Sequence, residues 1–401
     1  MRRMNPLVGH VIIGMGWVLL TSCAIFSKPP GPIQQPPAPF EEAVSAFAVN
    51  LLEQVKADRP VQTGAGKITV TLIPFTDADT DEVPQISRRI EDIFFAVGVR
   101  QFRDFDLARL TTKNIRRADY VINGTIRMDL YQGKDDGKSG KFYHAYGEIT
   151  RVKDKKIIGK SSCWIADPDI NYALTPIYRD SPLYLRGDRS PVPDTFPPQL
   201  RNEKFIDMSM ETRAVLVEAR TAYENGNYET AELLFRMAAG REDGQDLDTY
   251  AGLYLANYKL GRLDEAEKAF ARLVTISAEK YRSFTVKYLF GVNSVEFLND
   301  KNLEERYQTW IRNIGEYFQQ TNNCLRIVGH SSRSGSKDYN DKLSLERAKS
   351  IQTLLQNSFP DVLQRSEVVG RGFSENIVGT GTDDDRDALD RRVELFVIDC
   401  K

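Results

Sequence analysis

At 401 residues the chain is long for one ordinary core, and a prior of about 150 residues per domain divides it into several modules. Its 41% hydrophobic and 27% charged residues describe a globular chain, and a formal charge of -2 excludes a global attraction to nucleic acid or anionic lipid. Three scattered histidines, His10, His144 and His330, and four cysteines without a CxxC pair exclude the usual zinc spacings.

The amino terminus, "MRRMNPLVGHVIIGMGWVLLTSC", sets basic Arg2 and Arg3 before an apolar stretch from Leu7 to Leu20. That stretch is too short to span a bilayer comfortably and reads as an export signal, residues 1–22. Leu20-Thr21-Ser22-Cys23 resembles the lipobox of bacterial lipoproteins, which implies cleavage before Cys23 and lipidation of its sulfur. A plain secretory signal with an incidental cysteine is the alternative. By the same resemblance Ala24 after the cysteine implies sorting to the outer membrane, facing the periplasm, with acyl chains as the anchor. Residues 23–40 then hold the anchor and a proline-rich spacer, "KPPGPIQQPPAP", which favours extended polyproline geometry.

Residues 41–167 read as an α/β sandwich: a helix at "EEAVSAFAVNLLEQVKA", a strand at "KITVTLIPF", the amphipathic "ISRRIEDIFFAVG", then three strand-like runs ending in "KIIGKSSCWIA". The order of elements and the phrase "ADYVINGTIRMDLY" resemble the periplasmic domain of penicillin-binding-protein activator and curli-secretion lipoproteins. Residues 168–210, studded with proline, aspartate and tyrosine, read as a linker that could pack on a neighbour through its tyrosines.

Within residues 211–282, Gly226 and Gly261, Ala231 and Ala266, and Phe235 and Phe270 share a 35-residue period. This resembles tetratricopeptide repeats, whose paired helices need a glycine at the turn and an alanine where they cross. Two repeats are fewer than an independent stack requires, so flanking helices or the next domain should complete it. Such a stack implies docking of an envelope protein that the sequence does not name.

Residues 283–401 alternate strands and helices, a pattern for a sheet covered mainly on one side. The run "LRIVGHSSRSGSKDYNDKLSLERAKSIQTLL", then "VVGRGFSE" and "DALDRRVELFVI", resembles the peptidoglycan-binding domain of the outer membrane protein A family. The expected architecture is therefore multidomain α/β plus α: an amino-terminal α/β sandwich, a short tetratricopeptide-like repeat and a carboxy-terminal OmpA-like α/β sandwich.

Tyr339, Leu343, Arg347, Ile351 and Leu355 fall four apart, which places the arginine on an oily helical face near the loop. A buried guanidinium needs a partner, and a salt bridge to Asp338 or Glu394 would serve. The resemblance implies instead that Arg347 contacts the carboxylate of diaminopimelate in the wall stem peptide, a task suited to its planar fork.

The family's aspartate fifteen positions earlier is replaced here by Ser332, so a charge-assisted contact to the ligand's ammonium becomes a neutral one. Ser331, Asn340, Leu343 and Arg392 complete the expected peptidoglycan site. Arg391 stands beside Arg392 in the family's "RRVE" motif, with a bracing role as the alternative to contact. His330 reads as a packed strand-end residue, and the Asp383, Asp384 and Asp385 run as a solvated loop rather than a calcium cage.

Cys324 begins one predicted strand and Cys400 ends another, so antiparallel neighbours would bring them into a disulfide. Cys163 reads as a small buried hydrophobe. No nucleophile elbow, metal set or cofactor motif appears, so the expectation is a non-enzymatic outer membrane lipoprotein. An oligomeric component of an envelope secretion or assembly machine, with a degenerate peptidoglycan site, is the alternative.

Overall fold

The computed structural model describes residues 36–58, 66–133, 139–167, 170–184, 208–288, 301–376 and 390–400, with isolated positions at 137, 290–291, 293–297, 381 and 387. The export signal, Cys23, nearly all of the proline-rich spacer, the Asp383 to Asp385 run and much of the expected linker lie outside the described residues. Among the described residues no helix is long and apolar enough to cross a membrane.

Helix α1 (Phe40–Asp58) buries Phe40, Val44, Phe47, Leu51 and Val55, steps of three and four that align one stripe. Helix α2 (Ile86–Gln101) does the same with Ile86, Ile90, Phe94 and Val97. The two meet through Phe47 and Phe94, edge to face at 5.7 Å between centroids.

Both lie on a sheet in the order β3-β1-β4-β5-β6, with β2 (Thr76–Asp77) pairing β4 off this path. Strand β1 (Ile68–Leu72) runs parallel to β3 (Phe105–Arg109) and to β4 (Tyr120–Gln132), with Val70, Thr71 and Leu72 all buried. Strands β4, β5 (Ser139–Arg151) and β6 (Lys156–Ile165) form an antiparallel meander. The polar turn between β5 and β6 contains no glycine, and Lys155 takes the left-handed conformation at φ +55° to close it.

Part of the expected linker is structured. Helix α3 (Pro176–Asp180) buries Ile177 and Tyr178, and β7 (Leu183–Tyr184) pairs antiparallel with β8 (Ser283–Val286). Residues 183–184 are thus the edge strand of the carboxy-terminal sheet, a long-range pairing with no local signature.

Four helices follow: α4 (Met210–Glu224), α5 (Tyr228–Ala239), α6 (Leu247–Lys259) and α7 (Leu263–Lys280). Gly226 and Gly261 hold φ of +75° and +71° at the α4–α5 and α6–α7 turns, a conformation that costs glycine least. Ala231, Ala266, Phe235 and Phe270 are all buried. One continuous apolar core joins these helices to the carboxy-terminal domain, whereas α1, α2 and the first sheet enclose a second.

The carboxy-terminal sheet has the order β10-β9-β11-β8-β7. Strand β9 (Cys324–Gly329) pairs parallel with β10 (Ser366–Gly370) and antiparallel with β11 (Val393–Ile398). Helices α8 (Lys301–Gln320) and α9 (Lys337–Leu355) complete the domain. Gly329 lets α9 sit directly on β9, because a Cβ there would collide with the Ser344 carbonyl.

Candidate functional site

The expected site lies where β9 ends and α9 begins. Ser336 caps α9, accepting from the Tyr339 amide at 3.4 Å, and Gly335 turns the chain at φ +89°. Asn340 Nδ2 donates to the carbonyls of Ser334 at 2.7 Å and Ser336 at 3.0 Å, so the side chain braces the loop from beneath. Ser331 N donates to the Gly372 carbonyl at 2.9 Å, which fixes the loop to the segment after β10.

The helical face differs from the expected stripe. Tyr339 is exposed and Leu343 half-buried, while Asn340, Ser344, Arg347, Ala348, Ile351 and Leu355 form the buried face. A strict four-residue step advances about 40° per repeat around a helix of 3.6 residues per turn, so the first two members wind out to solvent. Arg347 remains central in both readings.

Its guanidinium is wholly enclosed, at 0% exposure. Nε donates to the Ser294 carbonyl at 3.0 Å, Nη2 to Gly291 at 3.1 Å and Nη1 to His330 at 3.3 Å. The Phe290 ring covers the cation at 5.1 Å. A ligand carboxylate cannot reach this arginine while Phe290, Gly291 and Ser294 remain in place.

Ser331, Ser332 and Asn340 are also buried, each under 7% exposed. Arg392 stands on the far side of His330: its Nε donates to Glu394 Oε1 at 2.5 Å and its Nη2 to the Glu375 carbonyl at 3.0 Å. Its amide neighbour relation closes the set, the His330 amide donating to the Arg392 carbonyl at 2.9 Å. His330 is itself fully buried, with Nε2 3.5 Å from Glu394 Oε1. Arg392, Glu394 and His330 thus form a brace under the strand end that supplies one of the Arg347 acceptors.

Sequence reasoning missed Phe290, Gly291 and Ser294, the residues that close the site. Their signal is modest: a glycine and Asn293 between Phe290 and Phe297 read as turn chemistry between apolar partners. Phe290 and Phe297 do form an antiparallel bridge, and Asn293 takes φ +53°.

Cys324 and Cys400 form a disulfide with Cα atoms 5.0 Å apart, next to the Cys324–Ile398 register pair of β9 and β11. Burial pushes the free Cys163 thiol up to about 12. Among the described residues no cluster of three or more His, Cys, Asp or Glu could hold a metal ion.

Residues 298–389 match the family model described as the OmpA family. Outer membrane protein Omp38 of Acinetobacter baumannii is 30% identical over 96 residues, which cover 24% of this chain and 27% of that protein. Outer membrane porin F of Pseudomonas aeruginosa is 31% identical over 105 residues, covering 26% and 30% respectively. The chain thus spans under a third of the length of these curated relatives.

Among solved structures, the peptidoglycan-associated lipoprotein from Burkholderia pseudomallei matches at 23% identity and a TM-score of 0.24, over 29% of this chain and 90% of that one. The cell wall anchor of the T6SS from Pseudomonas aeruginosa matches at 23% identity and 0.25, over 32% and 96%. The carboxy-terminal part of the chain, residues 298–389, is an OmpA-like domain.

Proposed function

We propose that this is a non-enzymatic envelope protein, anchored in the outer membrane through lipidated Cys23, that faces the periplasm and meets peptidoglycan through its OmpA-like domain. The observation that carries this reading is the OmpA-family match over residues 298–389, the segment in which Ser331, Ser332, Asn340 and Arg347 lie. Arg347 is the ligand-carboxylate residue, for the diaminopimelate of the stem peptide. Phe290, Gly291 and Ser294 cover the guanidinium in this structure, so binding requires them to move aside. Ser332 supplies a neutral acceptor to the ammonium end, so binding is weak. The four tetratricopeptide-like helices and the amino-terminal α/β domain dock other envelope proteins.

Titration of a diaminopimelate-containing muropeptide onto the full chain in detergent, with co-sedimentation on purified sacculi, tests the reading. Ser332→Asp is expected to tighten binding about tenfold, equal to about 1.4 kcal/mol, and Arg347→Ala to abolish it. Absence of binding by both the wild type and Ser332→Asp rejects it.

A second reading, an oligomeric secretion or assembly component with a degenerate wall site, is favoured by the complete enclosure of Arg347 and by Ser332. Ring-like particles in detergent together with failure to bind sacculi would select it.

A further inference from the structure

The first helices of the two pairs, α4 and α6, carry a short run of the expected linker on their shared face, since α3 packs against both. Three residues of that run reach the helices through their side chains, and each meets a different chemistry.

Ile177 and Tyr178 are 6% and 3% exposed and belong to the same apolar core as Leu216, Ala219 and Tyr223 of α4. The Arg220 guanidinium of α4 lies over the Tyr178 ring at 5.6 Å, and Asp248 of α6 holds that guanidinium at 2.9 Å. Asp180 closes the run. Its Oδ2 accepts from Tyr223 Oη of α4 at 2.9 Å and pairs with Lys259 Nζ of α6 at 3.0 Å, while Arg306 of α8 donates to its carbonyl at 2.8 Å. Burial pushes the Asp180 carboxyl up, but the bonds from Lys259 and Tyr223 outweigh it and hold the group below its usual value.

Arg179, between these anchors, turns a side chain that is 67% exposed to solvent. Four consecutive residues thus read aliphatic, aromatic, free, acidic. Side chains carry this contact and a short linear motif specifies it, which is the anatomy of a bound peptide. Strand β7, three residues on, is held otherwise, by main-chain pairing with β8.

The two ends of the run are tied outside the helices, by the Thr175 amide donating to the Val83 carbonyl at 2.9 Å and by the β7–β8 pair. Tethering on both sides keeps this occupant at an effective concentration on the order of millimolar or above. A free chain with the same motif meets a filled face.

We propose that the face formed by α4 and α6, with Arg306 of α8 at its end, is a peptide groove for an aliphatic, aromatic, free, acidic motif, and that Ile177 to Asp180 are its built-in occupant. The occupant is an autoinhibitory contact: a foreign chain docks here when it carries the same chemistry and takes the place of this run. The groove and its occupant stand on the contacts above, whereas its use on a foreign chain rests on the docking role given to the helices under Proposed function.

The probe is a fluorescent peptide with the sequence of residues 174–183, titrated onto the full chain in detergent and read by anisotropy. Tyr178→Ala removes the aromatic anchor of the occupant and leaves α4, α6 and α8 unchanged in sequence. This variant is expected to bind the peptide about tenfold tighter than the wild type, because a larger fraction of the chain then presents an open face. Changing the peptide's aspartate to asparagine, or adding Tyr223→Phe to the chain, is expected to weaken that binding about tenfold. Asp180→Asn, which loosens the occupant without removing a ring, serves under the same criteria if Tyr178→Ala does not fold. Protected β4 and β5 amides certify the fold.

A folded, loosened chain that binds the peptide no better than the wild type overturns the groove, as does binding indifferent to the peptide's aspartate. Failure of the docking role shows differently: the peptide follows the expected order, yet no envelope protein cross-links to either the wild type or Tyr178→Ala.

Discussion

Trp310 Nε1 donates to Tyr254 Oη at 2.8 Å, a bond that joins the OmpA-like domain to the four-helix segment before it. Trp310 of α8 is 1% exposed and stacks on Phe270 of α7 with centroids 5.9 Å apart, so this helix covers the apolar face of the helical pairs. Two helical pairs alone would leave that face in water, and α8 supplies the missing layer.

Replacing Trp310 with phenylalanine removes the bond but keeps most of the area, and should cost about 1 kcal/mol by urea unfolding. Trp310→Ala should cost about 3 to 5 kcal/mol, through lost burial and a cavity shared by both segments. An alanine variant as stable as the wild type would show that the helical segment does not depend on α8.

Arg347 is a structural cation as well as a candidate ligand group. Arg347→Lys keeps the charge but cannot reach three carbonyls from one ammonium in the same geometry, and should lose about 2 kcal/mol of stability without ligand. Thermal unfolding of the apo chain measures this. A lysine variant that melts with the wild type would show that the carbonyl cage contributes nothing.

Asp243 links the start of α4 to the turn after α5. Partial burial pushes its pKa up, but bonds from the Ser209 and Thr212 side chains and the Ser209 amide, with Arg241 nearby, hold it down from 3.8 to about 2. A carboxyl with a depressed folded pKa stabilises the fold above its unfolded value and loses that contribution as pH falls through the folded one. Asp243→Asn should therefore melt below the wild type at pH 6, and the gap should close between pH 3.8 and about 2. A gap that persists at pH 2 would assign the loss to geometry rather than charge.

The Cys324–Cys400 disulfide closes a span of 76 positions. Its removal in Cys400→Ser should cost about 2 to 4 kcal/mol, measured against the oxidised wild type in denaturant. Equal midpoints for the two forms would mean that β9–β11 pairing alone fixes the terminus.

Cys163 should resist iodoacetamide in the native chain, since burial holds its thiol at about 12 and its strand covers it. Mass spectrometry of the Cys163 peptide, with and without denaturant, checks this. Native-state labelling at the denatured rate would mean that the first sheet opens readily.

Local patterns carried the elements of this chain. The stripe of α1, the β-branched run of β1, and the glycines at 226 and 261 are set by period and backbone freedom over a few residues, and these are properties a sequence displays directly. The OmpA-like segment was legible for the same reason: its loop, helix and terminal strand are contiguous runs. The need of Arg347 for a partner followed as well, because a cation among oily neighbours has to find acceptors; its complete enclosure did not.

Which acceptors it found was a tertiary matter. Gly291 and Ser294 stand 56 and 53 positions from Arg347, and carbonyls carry no mark in the sequence. The same holds for the Lys287–Glu82 ion pair and for β7 as an edge strand supplied by the expected linker, whereas a cover for the helical pairs was expected from a neighbour and only its identity, α8, was tertiary. Each depends on chain segments meeting after the cores form, when burial forces every polar group to a partner that only the assembled fold can offer.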